Sequence, residues 1–442
     1  MQMLEKAQEM LKKHTLCNNC LGRQFALLGY MLNNKTRGEA IKLALTMESH
    51  QRALQGDRAG LSLMKTIAAN GDFPMAVELL RKLKKRAGKA RECFLCEGRF
   101  KVSHQLVDES IEQLQNFEYN TFLVGIELPT EVEEKEDEFK AQFEVKHGES
   151  MRNEFSRDLG KKLSQVTQKA TEYKKPDVVV LVNPFTEQVR LQVNPLCIMG
   201  RYKKLARGIP QSKWLCPECR GEGCAKCSWM GKLYPESVEE IISKPTLQKT
   251  LGDTAVFHAA GREDIDARML GQGRPFIIEV KKPRKRYINP RSLTREINRM
   301  ADGKVKVLGL KIAGREMIRK LKRAEAAQKI YKVTIKFNRN IHNEELKTLE
   351  KVLANRVIRQ QTPQRVLHRR ANRIREKHIY TTKIKRLGPN RVEMRIHCQG
   401  GLYIKELVTG DSGRTNPSVT TIIDAKATPS ELDVLNVIVR GY

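Results

Sequence analysis

The chain has 442 residues, more than one hydrophobic core usually supports, so two or three domains are expected. Its 82 Lys and Arg against 51 Asp and Glu leave a formal charge of +31, a self-repulsion that adds nothing to the stability of an isolated globule and points to a polyanionic partner. Residues 178–182 form the longest apolar block, far short of the roughly 18 residues of a spanning helix, so nucleic acid fits better than membrane as that partner.

The opening MQMLEKAQEMLKK lacks the apolar centre of a secretory signal. Met3, Leu4, Ala7, Met10 and Leu11 instead fall at helical spacing, as in an amphipathic helix of a cytoplasmic protein. Helical segments with a basic face (Arg81, Lys82, Lys84, Lys85, Arg86) follow, then a predicted helix over 104–117 with Leu106, Val107, Ile111 and Leu114 on one side, and a strand over 121–126. The acidic run 131–138 reads as a solvated surface loop. A helix is predicted over 151–170. PDVVVLVNPFTEQVRLQV (176–193) reads as two strands joined at Asn183-Pro184, the first buried on both faces and the second alternating.

Between 200 and 235 the chain turns rich in Gly, Pro and Cys and loses periodicity. The expected organisation is therefore a first domain over 1–200, a linker with a metal knuckle over 201–235, and a second domain over 236–442. Ser237-Val-Glu-Glu240 has the form of a capping box. Beyond it, predicted strands 275–281, 304–312 and 330–337 alternate with helices 291–301, 314–325 and 343–354, an α+β pattern about a mainly antiparallel sheet.

Eight of the ten cysteines form four C-x-x-C pairs, a clustering that suits metal ligands in a reducing compartment better than a secreted disulfide framework. Structural zinc needs four soft or borderline ligands in a tetrahedron. Cys17, Cys20, Cys93 and Cys96 supply one set; Cys216, Cys219, Cys224 and Cys227 supply another, where Gly221 and Gly223 allow a tight backbone. CPECRGEG resembles one repeat of the DnaJ zinc motif, but one copy cannot build that domain. Cys197 and Cys398 are expected in the core.

Gly261-Arg-Glu-Asp264-Ile-Asp266-Ala-Arg268 follows the apolar run 255–260, so a strand delivers these polar residues to a loop. By composition alone they are either a surface ion network or a reactive site. A second basic stretch holds Arg365, His368, Arg369, Arg370, Arg373 and Arg375, whose guanidinium forks suit phosphates and splayed bases. A third holds Lys281, Lys282, Arg284, Lys285 and Arg286. Gly410-Asp-Ser-Gly413 resembles a serine-protease nucleophile string, but Arg414 stands where that string has glycine.

Gly261-Arg262-Glu263-Asp264 resembles the G-R-T-D motif of pseudouridine synthases. GREDIDARMLGQGRPF (261–276), QTPQRVLHRR (361–370), GLYIKELVTGDSGRTNPS (401–418) and CLGRQFALLG (20–29) resemble the pseudouridine synthase 10 family, in the right order along the chain. The resemblance implies a zinc-stapled, THUMP-containing RNA-binding domain before a pseudouridine synthase domain. It makes Asp264 the catalytic carboxylate, with Asp266 as a rival. Tyr331 would stack on the target base, and Lys405 would pair with the aspartate, Ile404 or Leu407 packing beneath. Arg262, Arg268, Arg365, His368, Arg369, Arg370 and Arg414 would bind substrate. The reaction implied is isomerisation of uridines fifty-four and fifty-five in the TΨC loop of tRNA, by a monomer with structural zinc and no catalytic cofactor. It needs neither nucleotide nor membrane, and the chain has no Walker loop or G-x-G-x-x-G turn. A THUMP-type methyltransferase or thiouridylase would need such a loop. A non-catalytic, zinc-bearing RNA-binding protein or chaperone is the alternative that charge and cysteines alone allow.

Overall fold

The structure, a computed structural model, describes residues 3–323 and 327–439, the side chain of Arg369 excepted. The end of the expected helix 314–325 lies outside the described residues. The chain divides into two compact units, Met1–Asn194 and Pro195–Tyr442.

The first unit runs α1 (Met3–Lys13), α2 (Asn18–Arg23), α3 (Asn34–Leu54), α4 (Arg58–Asn70), α5 (Pro74–Lys82), α6 (Ser103–Leu114), β1 (Thr121–Ile126), α7 (Thr130–Gln142), α8 (Met151–Thr167), β2 (Ala170–Thr171), β3 (Val178–Asn183) and β4 (Gln188–Val193). Its sheet has the order β2-β1-β3-β4, with β1 parallel to both neighbours and β3–β4 a hairpin. Leu106, Val107 and Leu114 of α6 and Phe155, Leu159 and Leu163 of α8 share one core with Phe122, Val124, Val178, Val180 and Val182. Because the helices supply that core from one side, β3 alternates between buried and half-buried residues, contrary to the expectation that both its faces are covered.

The acidic run is also corrected, from loop to helix α7. Its inward residues are Val132, Glu136 and Phe139, at i, i+4 and i+7. Glu136 hides that apolar stripe in the sequence, because it is turned inward to accept from Arg23 at 3.0 Å, next to Glu154 at 2.9 Å on the same fully buried guanidinium. Helices α2 and α3 touch backbone to backbone through Gly22 and Gly38. A Cβ on either would lie 1.9 or 2.0 Å from a carbonyl oxygen of the other segment, which is the physical content of the glycine in CLGR.

The second unit comprises β5 (Leu196–Lys204), α9 (Val238–Thr250), β6 (Thr254–Ala259), β7 (Arg268–Lys281), α10 (Pro290–Met300), β8 (Val305–Ala313), α11 (Glu316–Arg323), β9 (Gln328–Phe337), α12 (Asn343–Leu353), β10 (Arg356–Gln361), β11 (Ile374–Gly388), β12 (Arg391–Cys398), α13 (Ile404–Thr409), β13 (Thr415–Asn416), α14 (Val419–Ile423) and β14 (Ala427–Ile438). The capping box at the start of α9 is half met. Ser237 accepts from the Glu240 N–H, while the Glu240 carboxylate accepts from the Ser237 hydroxyl and not from its backbone.

The strands join in the order β13-β10-β11-β12-β9-β14-β7-β5-β8, with β6 on the far part of β7. The expected mainly antiparallel sheet is corrected to a mixed one, since β14 and β7 run parallel, Asp433 opposite Arg268 and Val434 opposite Met269. Strand patterning reports which face is buried and not which way a strand runs, so this pairing left no trace in the sequence.

That short parallel pairing is the seam between two cores. On one side α12, α13 and α14 pack around Val333, Ile335, Met394 and Ile396; on the other α9, α10 and α11 pack around Ile198, Phe276, Ile278 and Val307. Tyr331 packs against both. Buried Asp433 ties the seam, accepting two bonds from Arg268 at 2.9 Å and one from Arg207 at 2.7 Å. Cys197 and Cys398 are buried, as expected. Among the described residues no helix is long and apolar enough to cross a membrane.

Candidate active site and metal centres

The loop 260–267 connects β6 to β7 at the seam, and buried donors fix its backbone. Arg274 gives one N–H to the Ala260 carbonyl at 2.7 Å and another to Glu263 at 2.8 Å. Gln211 donates to the Gly261 carbonyl at 3.0 Å, and the Lys204 ammonium donates to the carbonyls of Asp264 and Ile265, each at 3.0 Å. Burial, the largest influence, holds Lys204 below its ordinary pKa despite the nearby carboxylates. Glu263 accepts from the Tyr202 hydroxyl as well as Arg274, so its charge is spent inside the protein. Preorganising the loop in this way leaves Asp264 as its carboxylate facing the cavity.

The cavity, about 270 Å³, is lined by residues that include Arg262, Glu263, Asp264, Tyr331, Arg365, Arg370, Arg375, Lys377, Tyr403, Ile404 and Lys405. This is just below the ~300–1,000 Å³ range of small-ligand sites. Asp264 Oδ2 lies 3.2 Å from an Arg365 nitrogen and 3.4 Å from Lys405 Nζ. Arg365 also donates to Glu406 at 2.6 Å, which braces its fork. Burial alone would lower the Arg365 pKa, but Glu406 and Asp264 hold it above its ordinary value. Lys405 is closer to Asp266, with both oxygens at 2.7 and 2.8 Å. Burial pushes Asp266 up, and the bond and charge of Lys405 more than offset this, so its carboxyl sits below the usual range. Asp266 lines a second, smaller opening of about 180 Å³, whereas Asp264 lines both. Burial pushes the Tyr331 hydroxyl up, so the ring presents a neutral phenol.

Other sequence-derived positions divide. Arg262, Ile404 and Arg370 border the cavity. Arg268 does not; it is engaged with Asp433 at the seam. Leu407 is fully buried in the core beneath α13. His368 is exposed, and the Arg369 side chain lies outside the described residues. Arg414 donates to the Thr362 carbonyl at 2.8 Å and to Asn372 at 2.7 Å, which folds the segment carrying Arg365 back on itself. Sequence reasoning missed Lys204, Arg274, Gln211 and Glu406. Lys204 did leave a signal, a lone charge in phase with Ile198 and Tyr202 on the inward side of a strand.

Both cysteine sets converge. Cys17 and Cys96 sulfurs are 3.6 Å apart; Cys216–Cys224 and Cys219–Cys227 are each 3.8 Å, and Cys224–Cys227 is 3.7 Å. Four thiolates at ~2.3 Å from a tetrahedral ion stand ~3.8 Å from one another, so both sets fit one metal ion each. Backbone N–H groups of Cys17, Gly223 and Gly231 point at Cys93, Cys219 and Cys227 sulfurs at 3.2–3.3 Å, a donor shell suited to thiolate charge. Gly221 and Gly223 have φ of +116° and +102°, the positive-φ backbone expected of them.

Residues 197–438 match the family model described as Pus10, C-terminal, and residues 106–183 match Pus10 THUMP domain, archaeal. A tRNA pseudouridine synthase Pus10 of Methanocaldococcus jannaschii is 43% identical over 437 residues, 97% of this chain and 93% of that protein. Those of Thermofilum pendens and Pyrococcus furiosus are 38% and 37% identical, each over 436 residues, covering 98% and 99% of this chain and 95% and 98% of theirs.

Proposed function

The chain belongs to the Pus10 family of tRNA pseudouridine synthases, and from that premise we propose that Asp264 is the carboxylate that carries its reaction, on the two adjacent TΨC-loop uridines fifty-four and fifty-five. The C1′–N1 bond of uridine breaks, the base turns, C1′ bonds to C5, and the proton leaving C5 is matched by one gained at N1. Atoms and charge balance with no external reagent.

The observation that supports Asp264 is its position in the cavity between Arg365 and Lys405, with Tyr331 on the wall. Arg365 and Lys405 set two positive charges against the carboxylate, which is placed to meet the sugar carbon or the base of an entering nucleotide. The Tyr331 ring gives the detached uracil a face to rest on while it turns. Ile404 supports the floor. Extruding a uridine costs a few kcal/mol, and Arg370, Arg375 and Lys377 around the mouth offset this by holding its phosphates. Asp266 is the weaker candidate because Lys405 engages both its oxygens.

Each four-cysteine set holds one structural zinc ion in this reading, and the metal's contribution is to cross-link the backbone. The substrate positions follow from the family resemblance. They are tested by incubating the protein with one unmodified tRNA and mapping C-linked uracil along it. Product at both uridines supports the assignment; product elsewhere replaces it.

A further inference from the structure

The knuckle 216–227 is not part of either hydrophobic core of its unit, and its place explains what it holds. Its base is closed by Cys216 N–H to the Gly231 carbonyl at 3.0 Å and Leu233 N–H to the Trp214 carbonyl at 2.9 Å, with Leu215 paired to Lys232. Trp214 is therefore the residue at which the stem of the metal knuckle meets the body of the unit. Its half-buried ring meets Tyr234 edge-on, centroids 5.7 Å apart at 84°, and the Arg262 guanidinium lies over it at 6.0 Å. The same ring walls the smaller opening, together with Arg262, Asp264, Asp266, Arg365 and Lys405. An indole braced by an aromatic edge and joined to a guanidinium, beside the carboxylate Asp264, has the flat face and the positive charge that an unpaired nucleotide requires.

We propose that Trp214 is a nucleobase platform: the base flanking the extruded uridine, deprived of its stacking neighbour, stacks on Trp214 while Arg262 meets the adjoining phosphate. The proposal rests on the synthase reading, since it takes the extruded uridine to lie in the Asp264 cavity. It also gives the knuckle a task, which is to fix the stem that carries the platform. Trp214 contacts substrate remote from the reacting atoms, so its loss should weaken productive binding more than the chemical step.

The chain holds two tryptophans, Trp214 and Trp229, and Trp229 is exposed on the knuckle. Trp229→Phe therefore leaves Trp214 as the sole indole. In Trp229→Phe, Asp264→Ala protein, saturating unmodified tRNA should quench that emission with no turnover. A tRNA carrying an abasic site beside the target uridine should bind without quenching. With Asp264 intact, Trp214→Ala should lower kcat/KM by about 10- to 100-fold, mostly through KM, and Trp214→Phe should restore it to within a few fold. The Cys224→Ser, Cys227→Ser pair should reproduce the Trp214→Ala loss. Unchanged emission at tRNA saturation verified by filter retention would overturn the proposal, as would full kcat/KM in the Trp214→Ala enzyme. The synthase reading fails by a separate route, absence of pseudouridine from the protein with Asp264 intact, which the emission measurement does not depend on.

Discussion

Met1–Asn194 carries 30 Lys and Arg against 27 Asp and Glu, while Pro195–Tyr442 carries 52 against 24. The unit matching the THUMP family model is thus close to neutral, and almost all of the positive charge that first pointed to nucleic acid belongs to the unit with the carboxylate cavity. The two four-cysteine clusters differ in their setting as well. Cys20, Cys93 and Cys96 are embedded in the core of the first unit, whereas the second cluster closes a peripheral knuckle. Positive charge is therefore concentrated in the unit that carries the cavity lined by Asp264.

The largest expected effect is at the cavity. Arg365→Ala removes the cation at 3.2 Å from Asp264 and also leaves Glu406 without its partner, so kcat should fall by about 10²–10³-fold. Arg365→Lys keeps the charge but loses the fork, and single-turnover rates should place it between the two.

Metal removal comes next and separates the units. A chelator should unfold the first unit and leave the melting of the second nearly unchanged, read in the full chain by hydrogen exchange resolved along the sequence. Equal loss of protection in both units would erase the distinction between an embedded and a peripheral site.

Asp433→Asn probes the seam and should cost about 2–3 kcal/mol at neutral pH, less than a fully buried pair because both arginines are about one-third exposed. Burial pushes the Asp433 carboxyl up, but the bonds and charges of Arg268 and Arg207 hold it below the usual range. Its stabilisation is thus full above the ordinary Asp pKa of about 3.9 and is lost as pH falls through the lower folded value. Urea unfolding should find the gap between parent and variant closing as pH falls from the ordinary Asp range through the lower folded value.

The smallest effect is on salt dependence. Replacing Arg370 and Arg375 by Ala should reduce the slope of log affinity against log salt by about 1–2, while Lys82, Lys84 and Lys85 to Ala in the first unit should leave it unchanged. The reverse pattern would move the grip to the first unit.

The loop between β6 and β7 was legible in the sequence, because Gly261 to Arg268 is contiguous and its preceding strand is strongly apolar. It also carried the hairpin 178–193 and both cysteine sets, where spacing and chemistry coincide. What it could not carry was pairing across distance. Arg365 read as one more basic residue in an RNA-binding stretch, and only folding brings it to Asp264, with Glu406 as its brace. Lys405 was expected at Asp264 and is nearer Asp266. Glu136 made a helix look like a loop because its buried partner, Arg23, lies more than a hundred residues upstream.

The most direct test sets Asp264→Ala beside Asp266→Ala, each incubated with unmodified tRNA and no cofactor, with binding and the mass-silent uridine isomer measured in parallel. The Asp264 variant should bind tRNA within a few fold of the parent and form no pseudouridine, while the Asp266 variant retains activity. Product from the Asp264 variant, or its loss only in the Asp266 variant, would contradict the account.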